Sequence, residues 1–280
     1  MIDLHTHSNC SDGSMTPGEL VYHAKKMGLT AIALTDHDTT DGIHEAVAAG
    51  KEVGLQVIPG VEISTEEEKQ VHILGYGIDP NCKDLKQAFQ KQQAERVDNF
   101  EKYLVRFSQH GFPMTKQEVL NHAPSGHVGR AHYARVMMDK GYVSSVKEAF
   151  DRYLGIGMPL YIKREVMEPT EAIKLVHKAG GLAFFAHPHQ TKLSDDRLFA
   201  LMKRLTEAGL DGVEGYYPEY TPEMGIKFRK WADDLGLMLS GGSDFHAKMK
   251  PHIEIGTGTD NNLSVPAIVL DRILARLESK

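Results

Sequence analysis

Two pairs of ligand-type residues at short spacing are the first chemically suggestive feature of the sequence. One residue separates His5 from His7, and Asp244 and His246 repeat that spacing near the other end of the chain. In an extended strand, residues two apart project from the same face, so each pair directs two such side chains to one side. Neutral imidazole and carboxylate are common protein ligands of Zn, Mn and Fe. The spacing therefore indicates metal chemistry.

Further residues of the same chemical type lie at the ends of other short apolar runs. The tripeptide DHD at 36–38 follows AIALT, and His187 and His189 follow LAFFA. Glu62 lies near the end of a third apolar run, and His72 lies at the start of a fourth. A single histidine at a strand end is more often a hydrogen-bonded core or surface residue. So many ligand-type residues at strand ends favour one shared metal site.

The elements that must position these side chains follow a regular rhythm, in which short apolar runs alternate with amphipathic segments. Strands are predicted at 2–7, 31–35, 56–64, 71–76, 182–186, 212–215 and 237–240. Helices are predicted at 17–27, 41–54, 170–179, 195–208, 222–235 and 265–277. This alternation favours parallel strands covered by helices, in a closed or nearly closed barrel. In such a barrel the carboxyl ends of the strands surround one pocket, where residues distant in sequence converge.

One region interrupts this rhythm. Between residues 84 and 163 the pattern is only helical, with one long helix at 84–109 and shorter helices around 116, 130 and 144. We interpret the region as a helical insertion between two barrel strands that covers the active site at the barrel mouth. The predicted barrel then comprises residues 1–83 and 164–280, and the insertion comprises residues 84–163.

Composition limits the possible functions. The chain has 280 residues, a hydrophobic fraction of 41% and a net charge of −6. These values allow a substantial core and argue against a broadly basic nucleic-acid surface, although a local basic pocket remains compatible with them. Two cysteines, no recognisable leader and no long apolar segment lead us to expect a cytoplasmic protein without membrane association. No obligate protein partner is indicated.

Six motifs occur in the same order as those of a known family. DLHTHSNCSDG, TDHD, GVEIS, HILGYGID, FAHP and GGSDFH resemble the motifs of the polymerase and histidinol phosphatase (PHP) family. The resemblance is strongest to its nucleoside 3′,5′-bisphosphate phosphatases, a branch that includes enzymes that trim RNA from the 5′ end. It implies an α/β fold, a distorted (β/α)7 barrel with a helical insertion after the fourth strand. It also implies hydrolysis of phosphate monoesters, namely the 3′-phosphate of nucleoside 3′,5′-bisphosphates, and trimming of short 5′-phosphorylated RNA.

The resemblance further implies a cofactor of two or three divalent metal ions, which are Mn, Fe or Zn. Carried over residue by residue, it implies one ligand set of His5, His7, Glu62 and Asp244. It implies a second set of Glu62, His72 and His187, in which Glu62 bridges two ions. The third implied set is Asp12, His37 and His246.

Contacts with the phosphate ester substrate are implied outside these ligand sets. The Gly-Arg-x-His sequence at 129–132 contains Arg130 and His132, which together with Lys163 and His189 are the expected substrate-binding residues. Arg130 is also expected to assist catalysis, and Asp38 and His189 are the candidates for protonating the leaving group. The alternative for Arg130 is an ordinary arginine on a helix surface.

Three other functions are compatible with the same residues. An amidohydrolase also begins with His-x-His, although its bridging position is typically a lysine. A histidinol-phosphate-type or general phosphatase is a closer alternative, and the Gly-Arg-x-His sequence favours the nucleotide branch over it. A metal-binding accessory module of a polymerase is the alternative from a different class. The absence of a polymerase-sized extension and the full ligand set both count against that module.

Overall fold

The computed structural model describes residues 1–67, 69–123, 128–155, 157–162 and 166–280. The chain divides into two compact units. The first unit comprises Met1–Phe89 and Val166–Lys280, and the second comprises Gln90–Glu165. One helix, α3 (Lys83–Gln109), belongs partly to each unit. All strands of the described residues lie in the first unit.

A seven-stranded sheet, with its strands side by side in chain order, forms the centre of the first unit. Its strands are β1 (Ile2–Thr6), β2 (Ala31–Leu34), β3 (Gln56–Glu66), β4 (Gln70–Tyr76), β5 (Leu182–Phe185), β6 (Gly212–Tyr216) and β7 (Met238–Gly241). The helices of this unit other than α3 are α1 (Pro17–Lys26), α2 (Ile43–Val53), α7 (Pro169–Lys178), α8 (Asp195–Glu207), α9 (Pro222–Leu235) and α10 (Ala267–Glu278). The α/β class predicted from the sequence is confirmed, and most element ends agree to within two residues.

Helix α1 shows how local sequence signals define these elements. The Thr16 hydroxyl accepts the backbone N–H of Glu19, and the Glu19 carboxylate accepts the backbone N–H of Thr16. Pro17 occupies the first helical position, where its missing N–H costs nothing. Gly28 has a φ of 82° just beyond the helix, a conformation that glycine adopts without strain. An N-terminal cap of this kind contributes about 1 kcal/mol to the stability of the helix. The start and the end of α1 are therefore defined by neighbouring residues in the sequence.

The sheet is buried on both faces, as expected for strands covered by helices. In β2, Ile32 and Leu34 belong to an apolar cluster to which helices α1, α2 and α7–α9 also contribute side chains. Ala31 and Ala33 belong to a second cluster that α10 completes. The sheet also curls, because the segment after β7 hydrogen-bonds to the end of β1. His7 N–H donates to the Phe245 carbonyl at 2.9 Å, which brings the two ends of the sheet together.

The fourth strand departs from the predicted parallel arrangement. Strand β4 pairs antiparallel with both β3 and β5, with His72 opposite Ser64. Only three residues separate β3 from β4, whereas a parallel connection needs about a dozen or more residues. Because β4 runs in the opposite direction, its first residues lie at the edge where the parallel strands end. This reversal places His72 at the same edge as Glu62.

In the second unit, the described residues that form regular secondary structure are all helical. After α3 it contains α4 (Lys116–Asn121), α5 (Arg130–Asp139), α6 (Val146–Ala149) and a π-helical segment (Phe150–Leu154). Its own core is built around buried side chains that include Phe107, Val119, Tyr133, Met137 and Leu160. In neither unit does a described helix combine the length and apolar character that crossing a membrane requires.

Candidate metal centre

The carboxylate of Glu62, on β3, is the centre of a buried polar cluster. The residue has no exposed surface. Five imidazole nitrogens lie within 3.3 Å of its two oxygens: Oε2 faces His5 Nε2 at 3.1 Å, His7 Nε2 at 3.2 Å and His37 Nε2 at 3.3 Å, and Oε1 faces His72 Nδ1 at 2.7 Å and His187 Nε2 at 2.9 Å.

This arrangement exceeds what hydrogen bonding can satisfy. Each carboxylate oxygen has two lone pairs, yet three imidazoles converge on Oε2 of Glu62. Within the part of the chain that the structure describes, both ring nitrogens of His7 are buried without a hydrogen-bond partner, and so is Nδ1 of His37. Buried polar atoms without partners are costly, and a cation among these donors would satisfy them. The donor set is therefore chemically suited to metal ions.

Two further carboxylates complete the cluster. Asp244 Oδ1 lies 3.2 Å from His7 Nε2 and 3.7 Å from His5 Nε2. Asp12 Oδ1 lies 3.1 Å from His246 Nε2 and 3.6 Å from His7 Nδ1. The Asp12 side chain is 34% exposed, whereas the other carboxylates of the cluster are almost fully buried. Asp12 therefore marks the side of the cluster that is open to solvent.

Three overlapping groups of ligand-type atoms result among the described residues. They are His5, His7, Glu62 and Asp244; His7, Asp12, His37 and His246; and His37, Glu62 and His72. The first group is the set that the sequence resemblance implied, and the second adds His7 to another implied set. The third group contains His37, where the resemblance implied His187. His187 nevertheless lies close to Oε1 of Glu62, the same oxygen that His72 faces. The structure thus brings all nine predicted ligands into one connected cluster.

The backbone is strained at three residues that follow strand ends, two of them in the cluster. Asp38, His187 and Asp244 have φ values of 51°, 26° and 56°, in the left-handed region. Each follows β2, β5 or β7 within a few residues. A non-glycine residue in such a conformation costs about 1–3 kcal/mol, and such strain concentrates at functional sites. The chain turns sharply at these strand ends, and the turns direct its side chains into the cluster.

The cluster perturbs the ionisation of its own members. Burial disfavours the charged form of Glu62, but the surrounding histidines outweigh it and hold the pKa of this carboxyl well below its usual range. Burial lowers the pKa of His37 to about 3. For His7, burial is outweighed by the nearby carboxylates of Asp244 and Glu62, which raise the pKa to about 9. Without metal, protons therefore provide part of the positive charge that the buried carboxylates require.

A loop fixed by Asp36 carries Asp12. The Asp36 carboxylate accepts the backbone N–H of Ser8 and the hydroxyl of Ser11, both at 2.7 Å. At Gly13 a Cβ atom would lie only 2.5 Å from the carbonyl oxygen of His7, so the loop can fold this closely only with glycine there. The sequence pattern drew attention to Asp36, but its supporting contacts became apparent only in the structure.

Sequence reasoning missed the residues that hold the ligands from behind. Glu214 Oε1 lies 3.0 Å from His5 Nδ1. Asp244 Oδ2 accepts the Tyr217 hydroxyl at 2.8 Å and the Lys250 ammonium at 2.6 Å. A glutamate within the apolar strand sequence of β6 was a signal for Glu214. Nothing in the sequence spacing indicated Tyr217 or Lys250.

The two residues predicted to protonate the leaving group lie in different settings. Asp38 Oδ1 accepts the backbone N–H of Ser64 at 2.8 Å, which ties the end of β2 to β3. His189 Nε2 pairs with Glu219 at 3.0 Å, while its Nδ1 is buried without a hydrogen-bond partner. The ring of His189 lies 5.4 Å from that of Tyr217, which itself contacts Asp244. His189 is thus connected to the cluster through Tyr217.

The predicted substrate-binding residues Arg130 and His132 belong to the second unit. Arg130 Nη1 donates to the Leu154 carbonyl at 3.1 Å, and its guanidinium lies 5.8 Å and 5.2 Å from the rings of Phe150 and Tyr161. His132 Nδ1 accepts the backbone N–H of Gly129 at the start of α5. Lys163 lies outside the described residues.

A buried histidine–carboxylate cluster at the strand ends of a curled α/β sheet defines a metal-dependent hydrolase. The model of the PHP domain matches residues 3–164, and the chain belongs to this family of metal-dependent phosphoesterases. It is 37% identical to a 5′-3′ exoribonuclease of Haemophilus influenzae, over 92% of this chain and 94% of the relative. It is 31% identical to a 3′,5′-nucleoside bisphosphate phosphatase of Chromobacterium violaceum, over 92% of each.

A solved structure shows the same fold. It is that of an amidohydrolase from Chromobacterium violaceum with bound sulfate and no metal. The two structures superpose with a TM-score of 0.79 at 31% identity, over 98% of this chain and 96% of the other. The PHP family expected from the six motifs is thereby confirmed, and so is an α/β fold with a curled sheet.

Proposed function

We propose that this phosphoesterase removes the 3′-phosphate from nucleoside 3′,5′-bisphosphates and also trims short 5′-phosphorylated RNA. The observation that carries the proposal is the convergence of five imidazoles on the single carboxylate of Glu62. The names of the two relatives support this choice of substrate among phosphate esters. We also infer that the curled sheet is the distorted (β/α)7 barrel of the family, with the helical region inserted in the chain after its fourth strand.

We assign the nine clustered residues as ligands of two or three divalent ions, which are Mn, Fe or Zn. They are His5, His7, Asp12, His37, Glu62, His72, His187, Asp244 and His246. Glu62 bridges two ions, since its two oxygens face different histidines. When bound, such ions supply Lewis acidity that lowers the pKa of a water molecule and neutralises charge on the phosphate oxygens.

The other proposed residues position the substrate. Arg130 holds a phosphate through its planar fork, because among the described residues only one of its donors makes a hydrogen bond, to the Leu154 carbonyl. His132 and Lys163 add contacts to the same anion. His189, whose Nδ1 lacks a partner, contacts the scissile phosphate ester. Asp38 and His189 are the two candidates for protonating the leaving alkoxide.

A second phosphate on the substrate explains why this chain carries cations outside the cluster. The metal ions hold the phosphate that is cut, so Arg130 is left for a phosphate that is not cut. Binding energy from such a remote group can orient the reacting one, which raises kcat as well as affinity. A bisphosphate should therefore be a better substrate than either monophosphate.

Steady-state kinetics with added Mn, Fe or Zn test the proposal. The substrates are a nucleoside 3′,5′-bisphosphate, the matching 3′- and 5′-monophosphates, histidinol phosphate and a 5′-phosphorylated oligoribonucleotide. We expect kcat/KM to be highest for the bisphosphate. Equal kcat/KM for the bisphosphate and both monophosphates would contradict a second-phosphate site and would favour a general or histidinol-phosphate-type phosphatase.

A further inference from the structure

A carboxylate outside the nine proposed ligands contacts two of them at once. Glu214, on β6, has no exposed surface. Its Oε1 lies 3.0 Å from Nδ1 of His5, on β1. Its Oε2 accepts the backbone N–H of His187, which follows β5, at 2.8 Å. One buried side chain therefore connects two strand ends that are 182 residues apart in the sequence.

The contact with His5 selects one form of its ring. An ionised carboxylate can only accept hydrogen bonds, so Nδ1 of His5 must carry the proton that Oε1 of Glu214 accepts. Nε2, which faces Oε2 of Glu62 at 3.1 Å and Oδ1 of Asp244 at 3.7 Å, is then the nitrogen whose lone pair would bind a metal ion. Carboxylate partners of this kind fix the orientation of a metal-binding histidine and increase its basicity.

The contact with His187 supports an unfavourable backbone conformation. His187 has φ 26° and ψ 61°. A residue with a bulky side chain adopts such a conformation only when its surroundings impose it. The hydrogen bond to Oε2 of Glu214 anchors the N–H of this residue. In that conformation Nε2 of His187 reaches Oε1 of Glu62 at 2.9 Å. Glu214 thus acts on the ring of one ligand and on the backbone of the other.

We propose that Glu214 is a positioning residue that holds His5 and His187 together and thereby couples the two metal positions that share Glu62. The inference rests on the proposed metal centre, in which His5 and His187 belong to different ligand sets. Each ion then depends on the same buried carboxylate, although that carboxylate binds neither ion. Loss of a terminal ligand should weaken one position first, whereas loss of Glu214 should weaken both.

The same strand provides a matched control at its other end. Asp211, directly before β6, accepts the backbone N–H of Ala183 at 2.8 Å, and its Oδ2 lies 2.7 Å from Nε2 of His177. It therefore contacts a histidine ring and a backbone N–H as Glu214 does, but both contacts use Oδ2. Neither His177 nor Ala183 is a proposed ligand. A purely structural role for such carboxylates predicts similar effects at both positions.

The decisive comparison is between Glu214→Gln and Asp211→Asn in the full chain. His5 and His187 face different oxygens of Glu214, so in Gln the NH2 group would replace the acceptor for one of them. We expect Glu214→Gln to raise the dissociation constants of at least two ions by about 10–100-fold. Isothermal titration with Mn or Zn, together with elemental analysis of the metal content, would measure this. Asp211→Asn removes the same charge, but its single amide oxygen can keep both contacts, so metal stoichiometry and affinity should stay as in the wild type.

Two further readouts separate positioning from simple unfolding. Excess metal should restore most of kcat in Glu214→Gln, because its ligands are all present. Nitrogen-15 chemical shifts of His5 should show Nδ1 protonated in the wild type and a mixture of ring forms in the variant. If Glu214→Gln fails to fold, Glu214→Asp serves instead, since the shorter side chain keeps the charge but cannot reach both partners.

The outcomes distinguish this inference from the proposed metal centre. Wild-type metal affinities in Glu214→Gln, or a loss confined to one ion, would overturn the coupling role while leaving the centre intact. Equal losses of metal in Glu214→Gln and Asp211→Asn would reduce Glu214 to a structural residue. A wild-type protein that binds no divalent ion would instead overturn the metal centre itself.

Discussion

Two polar regions of this protein differ in whether their side chains have hydrogen-bond partners. Around Glu62, in the first unit, five imidazoles compete for one carboxylate and ring nitrogens of His7 remain without partners. In the second unit, Arg130 and His132 each have a conventional protein partner, the Leu154 carbonyl and the Gly129 N–H.

The difference shows what each region requires from a ligand. The cluster around Glu62 is buried and brings together lone-pair atoms of imidazoles and carboxylates, several without a hydrogen-bond partner among the described residues, so bound cations would stabilise it. The region around Arg130 is already stable as it stands, and a phosphate would use only its remaining donors. Removing a cluster residue should therefore damage catalysis and metal binding together. Removing Arg130 should damage substrate binding alone.

The largest expected effect is that of Glu62→Gln. A bridging carboxylate serves two ions, and metal ions contribute several kcal/mol to such reactions, so kcat should fall by about 1000-fold or more. Assays with the bisphosphate and elemental analysis would measure the two losses. Glu254→Gln is a suitable control, because Glu254 also pairs with a histidine, His23, outside the cluster. Wild-type activity in Glu62→Gln would mean that the cluster is not the catalytic centre.

Metal removal should have the next largest effect, this time on stability. Metal at 1000 times its dissociation constant stabilises the folded state by about 4 kcal/mol per ion. For a chain of this size that corresponds to a melting temperature higher by on the order of 10 °C. Calorimetry after chelation, and again after metal is restored, would measure this difference in melting temperature.

Hydrogen exchange sharpens the same experiment by locating the effect. Protection should fall on chelation in β1 and β3 and should change little around Phe107 of the second unit. If the apoprotein melted at the same temperature as the metal-loaded protein, the inference that bound cations stabilise the buried ligand atoms would be wrong.

A smaller effect is expected from Arg130→Ala. The loss of a hydrogen bond to a charged phosphate should lower kcat/KM for the bisphosphate by a factor equivalent to about 1.5–3 kcal/mol. Metal content should not change. Arg106→Ala is the matched control, since Arg106 also donates to a backbone carbonyl of this unit, that of Tyr161. If Arg130→Ala lost its metal ions, the assignment of Arg130 to substrate would be wrong.

The smallest effect concerns the cap at the start of α5. His132→Ala removes the acceptor for the Gly129 N–H, which should lower the free energy of unfolding by about 0.5–1 kcal/mol. If His132 also contacts substrate, KM for the bisphosphate should rise as well. Ser145→Ala removes a comparable cap, the acceptor for the Glu148 N–H, and provides the reference for a purely structural change. Identical behaviour of the two variants would remove His132 from the substrate site.

Much of the candidate site could be predicted because its chemistry is local in sequence. The spacing of His5 and His7, and of Asp244 and His246, identified ligand pairs, and the apolar runs before them identified strand ends. Helix α1 likewise begins at Pro17, where its capping residues indicated. These signals depend on side-chain type and on one or two neighbouring residues, so the sequence alone contains them.

Other features depend on how distant segments meet, and only the tertiary structure decided them. The antiparallel direction of β4 brings His72 to the Glu62 edge, although the sequence rhythm favoured a parallel strand. Glu214 became a contact of His5 and His187 only because β1, β5 and β6 end at one edge of a curled sheet. Residue types and local spacing are written in the sequence, whereas strand direction and packing behind a ligand are set by the free energy of the whole fold.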